Sequence, residues 1–238
     1  MSTRQEAVLR ELNLYPMWQR RNEIGTSPSD ARAAKDEVKI ITPARVPEFR
    51  VPEFKVEDWS SLKATVHGCT ACKLRASCTQ TVFGVGEEKA DWMFVGEGPG
   101  VEEDVVGEPF VGDAGKLLDN MLSAMKLKRS KNVFITNVVK CRPPDNRPPA
   151  ADEITSCMPY LQRQIALIQP KIIVALGKTA ATSLLGYDAT LTSLRSRLHD
   201  HQGIPLVVTY HPADLLHAPL EKAGAWQDLC LALAACRT

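Results

Sequence analysis

The sequence predicts an α/β protein in which helices cover both faces of a parallel β-sheet. Four short apolar runs are rich in β-branched residues, as buried strands are, and they lie at residues 92–95, 133–135, 172–176 and 206–208. Segments compatible with helix separate these runs, at residues 114–126, 151–168 and 179–185. Strands that alternate with helices pair in parallel through right-handed crossovers. We therefore expect a ligand to bind beyond the carboxyl ends of the strands.

The composition is typical of a globular protein, with 44% hydrophobic and 24% charged residues in a chain of 238. No apolar run approaches the roughly 20 residues that a bilayer requires. The N-terminus carries charged residues where a secretory signal has its apolar core. We therefore expect a soluble, cytoplasmic protein with no membrane partner.

Three segments are predicted along the chain. Residues 1–24 place apolar side chains near helical spacing, which predicts a helical extension. Residues 25–55 are charged and contain prolines, and a tandem repeat of RVPEF begins within them, so an extended linker is expected. The globular domain is expected to occupy residues 56–238.

Basic side chains are concentrated in one part of a chain whose net charge is only +1. Residues 126–147, which include Lys140 and Arg142, contain seven basic residues and one acidic residue. This stretch could bind a polyanion such as DNA. A solvated helix end followed by a polar loop explains the same charges, and composition leaves both interpretations open.

The cysteines indicate a metal centre rather than disulfides, because seven of them occur in a chain without a secretory signal. Cys69 and Cys72 form a C-x2-C pair, and Cys141 and Cys157 are separated by fifteen residues. A metal bound by all four would join two loops that are distant in sequence, which is a structural role. Spacing alone leaves zinc and an iron–sulfur cluster open, zinc being the commoner.

Four chemically different side chains follow the four predicted strands. In chain order they are Glu97, Asn137, Lys178 and His211. The carboxyl ends of parallel strands lie at one edge of the sheet, so a carboxylate, an amide, an ammonium group and an imidazole should meet there. Such a convergence is typical of an active site.

Loops rich in glycine and proline border this edge. Residues 96–100 hold three glycines and a proline around Glu97, so the backbone can turn sharply and approach a ligand closely. Phe110 lies between Pro109 and Gly112, which predicts a ring presented on a loop rather than packed in a helix. The carboxylate and the ring should form two walls of a small pocket.

A further loop is expected after the fourth strand. Pro212 fixes the turn that follows His211, and Leu215 and Leu216 come next. Exposed leucines beside basic residues are what a DNA-distorting wedge requires. The alternative is a histidine that only satisfies a backbone carbonyl. Lys178 follows a glycine but lacks the rest of a P-loop, so we expect it to cap a turn or contact a DNA phosphate.

The runs GEGPGVEEDVVGEPFVGDAGKLLD, TNVVKCRPPDNRPP and YHPADLL together resemble the family 4 uracil-DNA glycosylases, the iron–sulfur branch of their superfamily. The resemblance covers roughly residues 69–236. It implies a three-layer α/β/α sandwich on a four-stranded parallel sheet. It also implies a monofunctional glycosylase of base excision repair, which excises uracil from DNA and leaves an abasic site without cutting the strand.

The resemblance also implies roles for individual residues. A [4Fe-4S] cluster, rather than zinc, would be held by Cys69, Cys72, Cys141 and Cys157, with Cys78 as a non-ligand. Phe110 would stack on the flipped uracil and Asn137 would read its edge, while His211 and Glu97 would be catalytic. The Gly96 and Gly98 amides would help to bind the base, and Glu103 would exclude thymine. Leu215 and Leu216 would fill the gap left in the base stack. Lys140, Arg142 and Lys178 are the further DNA contacts expected from their charge. His217 stands where many relatives carry arginine, which predicts weaker or pH-dependent anchoring of the wedge to phosphate.

Two other classes of protein remain as alternatives. A metal-stapled module could bind lesions without excising them, and then Glu97→Ala would leave its function unchanged. An iron–sulfur electron carrier would need a cluster that cycles reversibly. For the glycosylase we expect a monomer whose partner is uracil-containing DNA.

Overall fold

The structure is a computed structural model that describes residues 58–236. The predicted helical extension, residues 1–24, and the predicted linker, residues 25–55, lie outside the described residues. The described part therefore falls within the predicted globular domain.

A single six-stranded sheet forms the centre of the described part, with the strand order β1-β3-β2-β4-β6-β5. The strands are β1 (Val85–Gly86), β2 (Trp92–Gly96), β3 (Val133–Asn137), β4 (Ile172–Leu176), β5 (Leu198–His201) and β6 (Ile204–Thr209). The four predicted strands are β2, β3, β4 and β6, and they pair in parallel as expected. Every residue of β2, β3 and β4 is buried, which is why these strands are apolar runs in the sequence.

The predicted count of four strands is wrong, because an antiparallel strand is added at each edge of the parallel core. β1 pairs with β3 and is only two residues long, so it has no sequence signal of its own. β5 pairs with β6 and reads LHDH. Its His199 and His201 are buried, and their ring nitrogens hydrogen-bond the carbonyls of Leu194 and Leu184 at 2.7 and 2.8 Å. Hydrogen bonding thus makes a buried strand from polar residues that hydropathy does not detect.

Helices cover both sides of the sheet, as predicted for this fold class. They are α1 (Trp59–His67), α2 (Val101–Val106), α3 (Asp113–Ala124), α4 (Ala151–Ile168), α5 (Lys178–Leu185), α6 (Leu191–Leu194), α7 (Pro212–His217) and α8 (Lys222–Ala235). Short 3-10 turns lie at Lys73–Ala76, Pro144–Asn146 and Pro219–Glu221. α4 matches its predicted bounds, α5 begins one residue early, and α3 ends two residues early.

The start of α4 is fixed by a local charge network that also shapes the loop before it. Glu153 accepts a hydrogen bond from the Ala150 amide at 2.7 Å, which caps the helix. Arg147 donates to both oxygens of this carboxylate, at 2.9 and 2.6 Å. These contacts lower the pKa of Glu153 to about 2.

No helix between residues 58 and 236 is both long and apolar enough to cross a membrane.

Candidate active site

A cavity of about 480 Å³ opens at the carboxyl ends of the parallel strands. The side chains of Glu97, Asn137, Lys178 and His211 all line it, as the positions of the four strand ends predict. Phe110 and Glu103 complete one wall, and the 143–148 loop borders the opposite part. The parallel core thus brings residues more than a hundred positions apart into one site.

Asn137 is the most informative of these side chains, because it is buried and incompletely bonded. It ends β3 opposite Gly96 of β2, and only 2% of its surface is exposed. Its Oδ1 atom has no hydrogen-bond partner within the described part of the chain. A buried acceptor left in this state costs about 1–3 kcal/mol, so such atoms in native proteins are commonly ligand-binding groups.

Gly96 leaves the space in which Asn137 and Phe110 meet. A Cβ atom at residue 96 would collide with Asn137 Oδ1 and would lie 2.5 Å from Phe110 Cζ. The glycine is therefore required by the close approach of two site residues. Gly98 is also required by a close contact, because a Cβ atom at residue 98 would lie 2.8 Å from Val139 Cγ2. The glycine-rich turn packs directly on the chain that follows β3.

Phe110 lies on the loop between α2 and α3, as predicted, but its ring is 94% covered rather than displayed to solvent. Its φ of +57° is unusual for a residue other than glycine. Arg129 stabilises this conformation by donating to the carbonyls of Pro109 and Phe110, both at 2.8 Å. Asp119 in turn holds the Arg129 guanidinium at 2.9 Å. Backbone strain at this position is thus balanced by fixed contacts.

Glu103 holds the other side of the same loop. Its carboxylate accepts hydrogen bonds from the amides of Gly100, Val111 and Gly112, at 3.0, 2.9 and 3.2 Å. The residue is half-buried and lines the cavity. Because three backbone donors fix the carboxylate, Glu103 is a rigid part of the wall.

His211 begins α7 and its side chain caps that helix. The Ala213 amide donates to His211 Nδ1 at 3.2 Å, so Nδ1 is an acceptor and the proton of the neutral ring lies on Nε2. Burial lowers the pKa of His211, against smaller opposing effects of Asp214 and Glu103. Its ring centroid lies 5.5 Å from that of Phe110. The imidazole is therefore a neutral hydrogen-bond donor beside the aromatic wall.

A second cavity is lined by the four predicted cysteines and by Val139, Lys140 and Tyr160 among others. Cys141 and Cys157 are buried, and Cys69 and Cys72 are half-buried. Backbone amides donate to two of the sulfurs, from Ala71 to Cys69 at 3.4 Å and from Lys140 to Cys157 at 3.3 Å. Burial raises the pKa of Cys157 to about 11 and that of Cys141 further.

The four cysteines line one cavity, so together they could hold a metal centre. Within residues 58–236, no group of three or more cysteine, histidine or acidic side chains is arranged to hold one metal ion. Cys78 does not line this cavity, but its thiol lies beside Cys141 and contributes to raising the pKa of Cys141.

Comparison with known proteins gives the family. Residues 83–231 match the uracil DNA glycosylase superfamily. The type-4 uracil-DNA glycosylase of Archaeoglobus fulgidus is 41% identical over 172 residues, covering 69% of this chain and 86% of the relative. That of Sulfurisphaera tokodaii is 45% identical, covering 69% and 78%, and that of Pyrobaculum aerophilum is 39% identical, covering 73% and 92%.

This chain belongs to the type-4 uracil-DNA glycosylases. The fold class and family inferred from the sequence motifs are thereby confirmed. The roles of individual residues in this glycosylase remain predictions. The structure shows where each of these residues lies and what it contacts.

Two of the residues predicted to contact DNA are buried in the glycosylase structure, and these predictions are wrong for the conformation observed. Leu215 is fully buried, because the predicted loop is the helix α7, which packs against α3. Lys140 is 1% exposed, and its ammonium group bonds protein oxygens. A side chain that is not exposed to solvent cannot contact a DNA phosphate or insert between neighbouring bases.

The remaining predicted DNA contacts lie at the surface of the glycosylase. Leu216 is 41% exposed, and Leu220, which the sequence analysis did not select, is 94% exposed four residues later. Lys178 forms an ion pair with Asp188 at 3.0 Å. Arg142 is half-buried and donates to Asn146 Oδ1 at 2.7 Å.

Sequence reasoning missed Arg129 as part of the site. It was counted only as one charge in a basic stretch, whereas the structure uses it to hold the Phe110 loop. Its role depends on a contact between residues about twenty positions apart, and no local pattern records that contact.

The neutral state of His211 predicts the pH dependence of the glycosylase. The pKa of His211 in the folded protein lies below its ordinary value of about 6.5, so more than half of the rings are neutral at pH 6.5. Protonation at lower pH places a hydrogen on Nδ1 and breaks the bond from Ala213. We expect single-turnover uracil release to fall with a midpoint below pH 6.5. A fall centred at or above pH 6.5 would contradict this assignment.

Proposed function

We propose that this type-4 uracil-DNA glycosylase hydrolyses the N-glycosidic bond of deoxyuridine in DNA, leaving an abasic site for base excision repair. The observation that supports it most is the buried, unpartnered Oδ1 of Asn137 in a cavity that Phe110 and His211 also line. A base that leaves the duplex needs such a pocket, with an aromatic face and polar groups for its edge.

Asn137 is proposed to read the pyrimidine edge. Its Oδ1 accepts from the N3–H of uracil, and its amide donates to O4. Cytosine has an acceptor at N3 and a donor at C4. Its N3 would face the Oδ1 acceptor and its amino group would face the amide donor, so neither hydrogen bond could form. Phe110, held in its strained conformation by Arg129, stacks on the flipped ring.

His211 and Glu97 are proposed to act on the glycosidic bond. When the bond between C1′ and N1 breaks, its electron pair goes to uracil and positive charge develops on the deoxyribose. The Nε2–H of neutral His211 donates to uracil O2 and stabilises the developing anion. Glu97 stabilises the sugar cation or accepts a proton from the water whose oxygen bonds to C1′. The backbone amides of Gly96 and Gly98 add hydrogen bonds to the base.

Glu103 is proposed to exclude thymine. A methyl group at C5 adds bulk to the ring, and a movable wall would adapt to it. The Glu103 carboxylate is fixed by three backbone amides, which makes this part of the wall rigid. Rigidity of this kind allows a pocket to discriminate by one methyl group, typically by about 1–3 kcal/mol.

Cys69, Cys72, Cys141 and Cys157 are proposed to hold a [4Fe-4S] cluster. Buried thiols whose pKa is raised need positive charge to become thiolates, and iron supplies it. When bound, the cluster provides a covalent link between the loop after α1, the turn after β3 and helix α4. Zinc remains the alternative, since four cysteines are also a common zinc ligand set.

Leu216, Arg142 and Lys178 are proposed to contact the DNA around the flipped nucleotide. Leu216 lies on α7, which begins directly after His211. The proposed wedge and the catalytic imidazole are therefore close together in sequence.

We propose that the enzyme acts as a monomer.

The test is release of uracil from an end-labelled oligonucleotide that contains one deoxyuridine. We expect free uracil and a strand that breaks only after alkali, with no product from matched oligonucleotides that contain thymine or cytosine. Binding to the uracil strand without release would indicate a lesion-binding module instead. Strand cleavage before alkali would show that the enzyme is not monofunctional.

A further inference from the structure

Lys140 carries a buried charge whose donors are all bonded, and the proposed reaction does not use it. Its Nζ donates to Thr136 Oγ1 at 2.6 Å, to the Asn137 carbonyl at 2.6 Å and to Gln164 Oε1 at 2.7 Å. An ammonium group has three donors, so all of them are satisfied. Only 1% of the residue is exposed, which excludes direct contact with DNA or base.

This ammonium group is buried at a cost. No carboxylate forms an ion pair with Lys140 among residues 58–236. A methionine or leucine would fill the same volume without desolvating a charge. The contacts of Lys140 therefore need an explanation other than packing.

The contacts join three elements around the end of β3. Thr136 and Asn137 are the last two residues of that strand. Gln164 lies on α4, and its Nε2 donates to the Phe83 carbonyl at 2.9 Å. Thr136 Oγ1 also lies 2.9 Å from the Phe83 carbonyl. The ammonium group thus anchors the strand end to the helix and to the loop before β1.

The backbone of Lys140 makes a separate contact with the cysteine cavity. Its amide donates to Cys157 Sγ at 3.3 Å, and its neighbour Cys141 lines that cavity. The side-chain hydrogen bonds of Lys140 therefore lie on the Asn137 side, and its main-chain hydrogen bond lies on the sulfur side. Lys140 also lines the cysteine cavity, so iron content must be measured whenever its side chain is changed.

We propose that Lys140 is a positioning residue for uracil recognition, whose ammonium group holds the Asn137 backbone so that Oδ1 points into the cavity. This inference rests on the proposed function, in which Asn137 reads the uracil edge. The Asn137 side chain has no hydrogen bond on Oδ1 to hold it, so its direction depends on the backbone from which it projects. The bond from Lys140 to the Asn137 carbonyl fixes that backbone directly.

The test is a double-mutant cycle of Lys140→Met and Asn137→Ala in the cluster-containing protein. Single-turnover uracil release is measured for the four proteins, together with iron and acid-labile sulfide content. We expect Lys140→Met to lower the rate about 10- to 100-fold when Asn137 is present, as misplacement of a site group does. In the Asn137→Ala background it should cause no further loss. Lys171→Met, which removes an exposed lysine paired with Asp91 before β2, is the matched control and should keep the full rate.

Iron content separates positioning from a structural role. We expect Lys140→Met to keep its iron and sulfide, because the amide that bonds Cys157 is unchanged. An equal loss of rate in both backgrounds, an unchanged rate, or a loss that follows the loss of iron would each overturn the inference. If Lys140→Met does not fold, Thr136→Val removes one acceptor of the ammonium group and should show the same dependence on Asn137, with a smaller effect.

Failure of the proposed function gives a different result. A wild-type protein that releases no uracil, or an Asn137→Ala protein with the wild-type rate, would reject the proposed role of Asn137 and the role of Lys140 with it. If Asn137→Ala releases uracil slowly but Lys140→Met keeps the full rate, only the positioning role of Lys140 is rejected.

Discussion

Replacing His211 with alanine is expected to lower the rate of uracil release by about 100- to 1,000-fold, as loss of one donor to a developing anion does. The Ala213 amide occupies Nδ1, which leaves the Nε2 proton as the donor of the ring. The neutral state is maintained because burial lowers the pKa of His211. A neutral donor needs no proton from solvent, so it is ready at neutral pH.

The measurement is single-turnover release from a deoxyuridine oligonucleotide. His67→Ala is the matched control, because His67 is an exposed histidine at the end of α1 and outside the cavity. We expect DNA binding by His211→Ala to change much less than its rate, since the donor acts mainly in the transition state. A variant that keeps more than a tenth of the wild-type rate would remove His211 from the proposed mechanism.

Replacing Cys157 with serine is expected to abolish iron binding and to destabilise the whole described fold. Cys157 lies on α4, and Cys141 lies in the turn after β3, so the proposed cluster joins two elements of the core. The free energy of metal binding contributes to folding, and we expect a loss on the order of 4 kcal/mol or more. For a domain of this size, that loss lowers Tm by about 8–16 °C.

Iron content, the visible absorbance of the cluster and Tm measure this effect together. Cys230→Ser on α8 is the matched control and should retain all three, because Cys230 is exposed and outside the cysteine cavity. Cys78→Ser tests the ligand set, and we expect it to keep its iron. If Cys78→Ser loses iron and Cys157→Ser keeps it, the proposed set of four ligands is wrong.

The parallel core of the fold could be predicted from the sequence because its strands are buried on both faces. β2, β3 and β4 carry no exposed residue, so each is a continuous apolar run. The residue after each strand could then be placed at one edge, and Glu97, Asn137, Lys178 and His211 do line one cavity. The edge strands β1 and β5 could not be predicted, because one is too short and the other is polar.

Errors occurred where the sequence pattern allowed a side chain to be either inside or outside. Lys140 lies in a basic stretch that predicts contact with DNA. In the structure it is buried, and its ammonium group donates to oxygen atoms of β3 and α4. The sequence predicts Leu215 on an exposed loop, but it lies on the buried side of α7 while Leu216 remains at the surface. A single residue type has no periodicity, and its burial depends on which elements cover it.

The sequence by itself determined the fold class, the family, the four cysteines of the second cavity and the residue types at the strand ends, since all of these are local patterns or motifs. Only the tertiary structure decided how the site is held. Arg129 and Glu103 fix the Phe110 loop, Ala213 sets the tautomer of His211, and Lys140 anchors the backbone of Asn137. These hydrogen bonds join residues from two to nineteen positions apart, and their geometry exists only once the chain has folded.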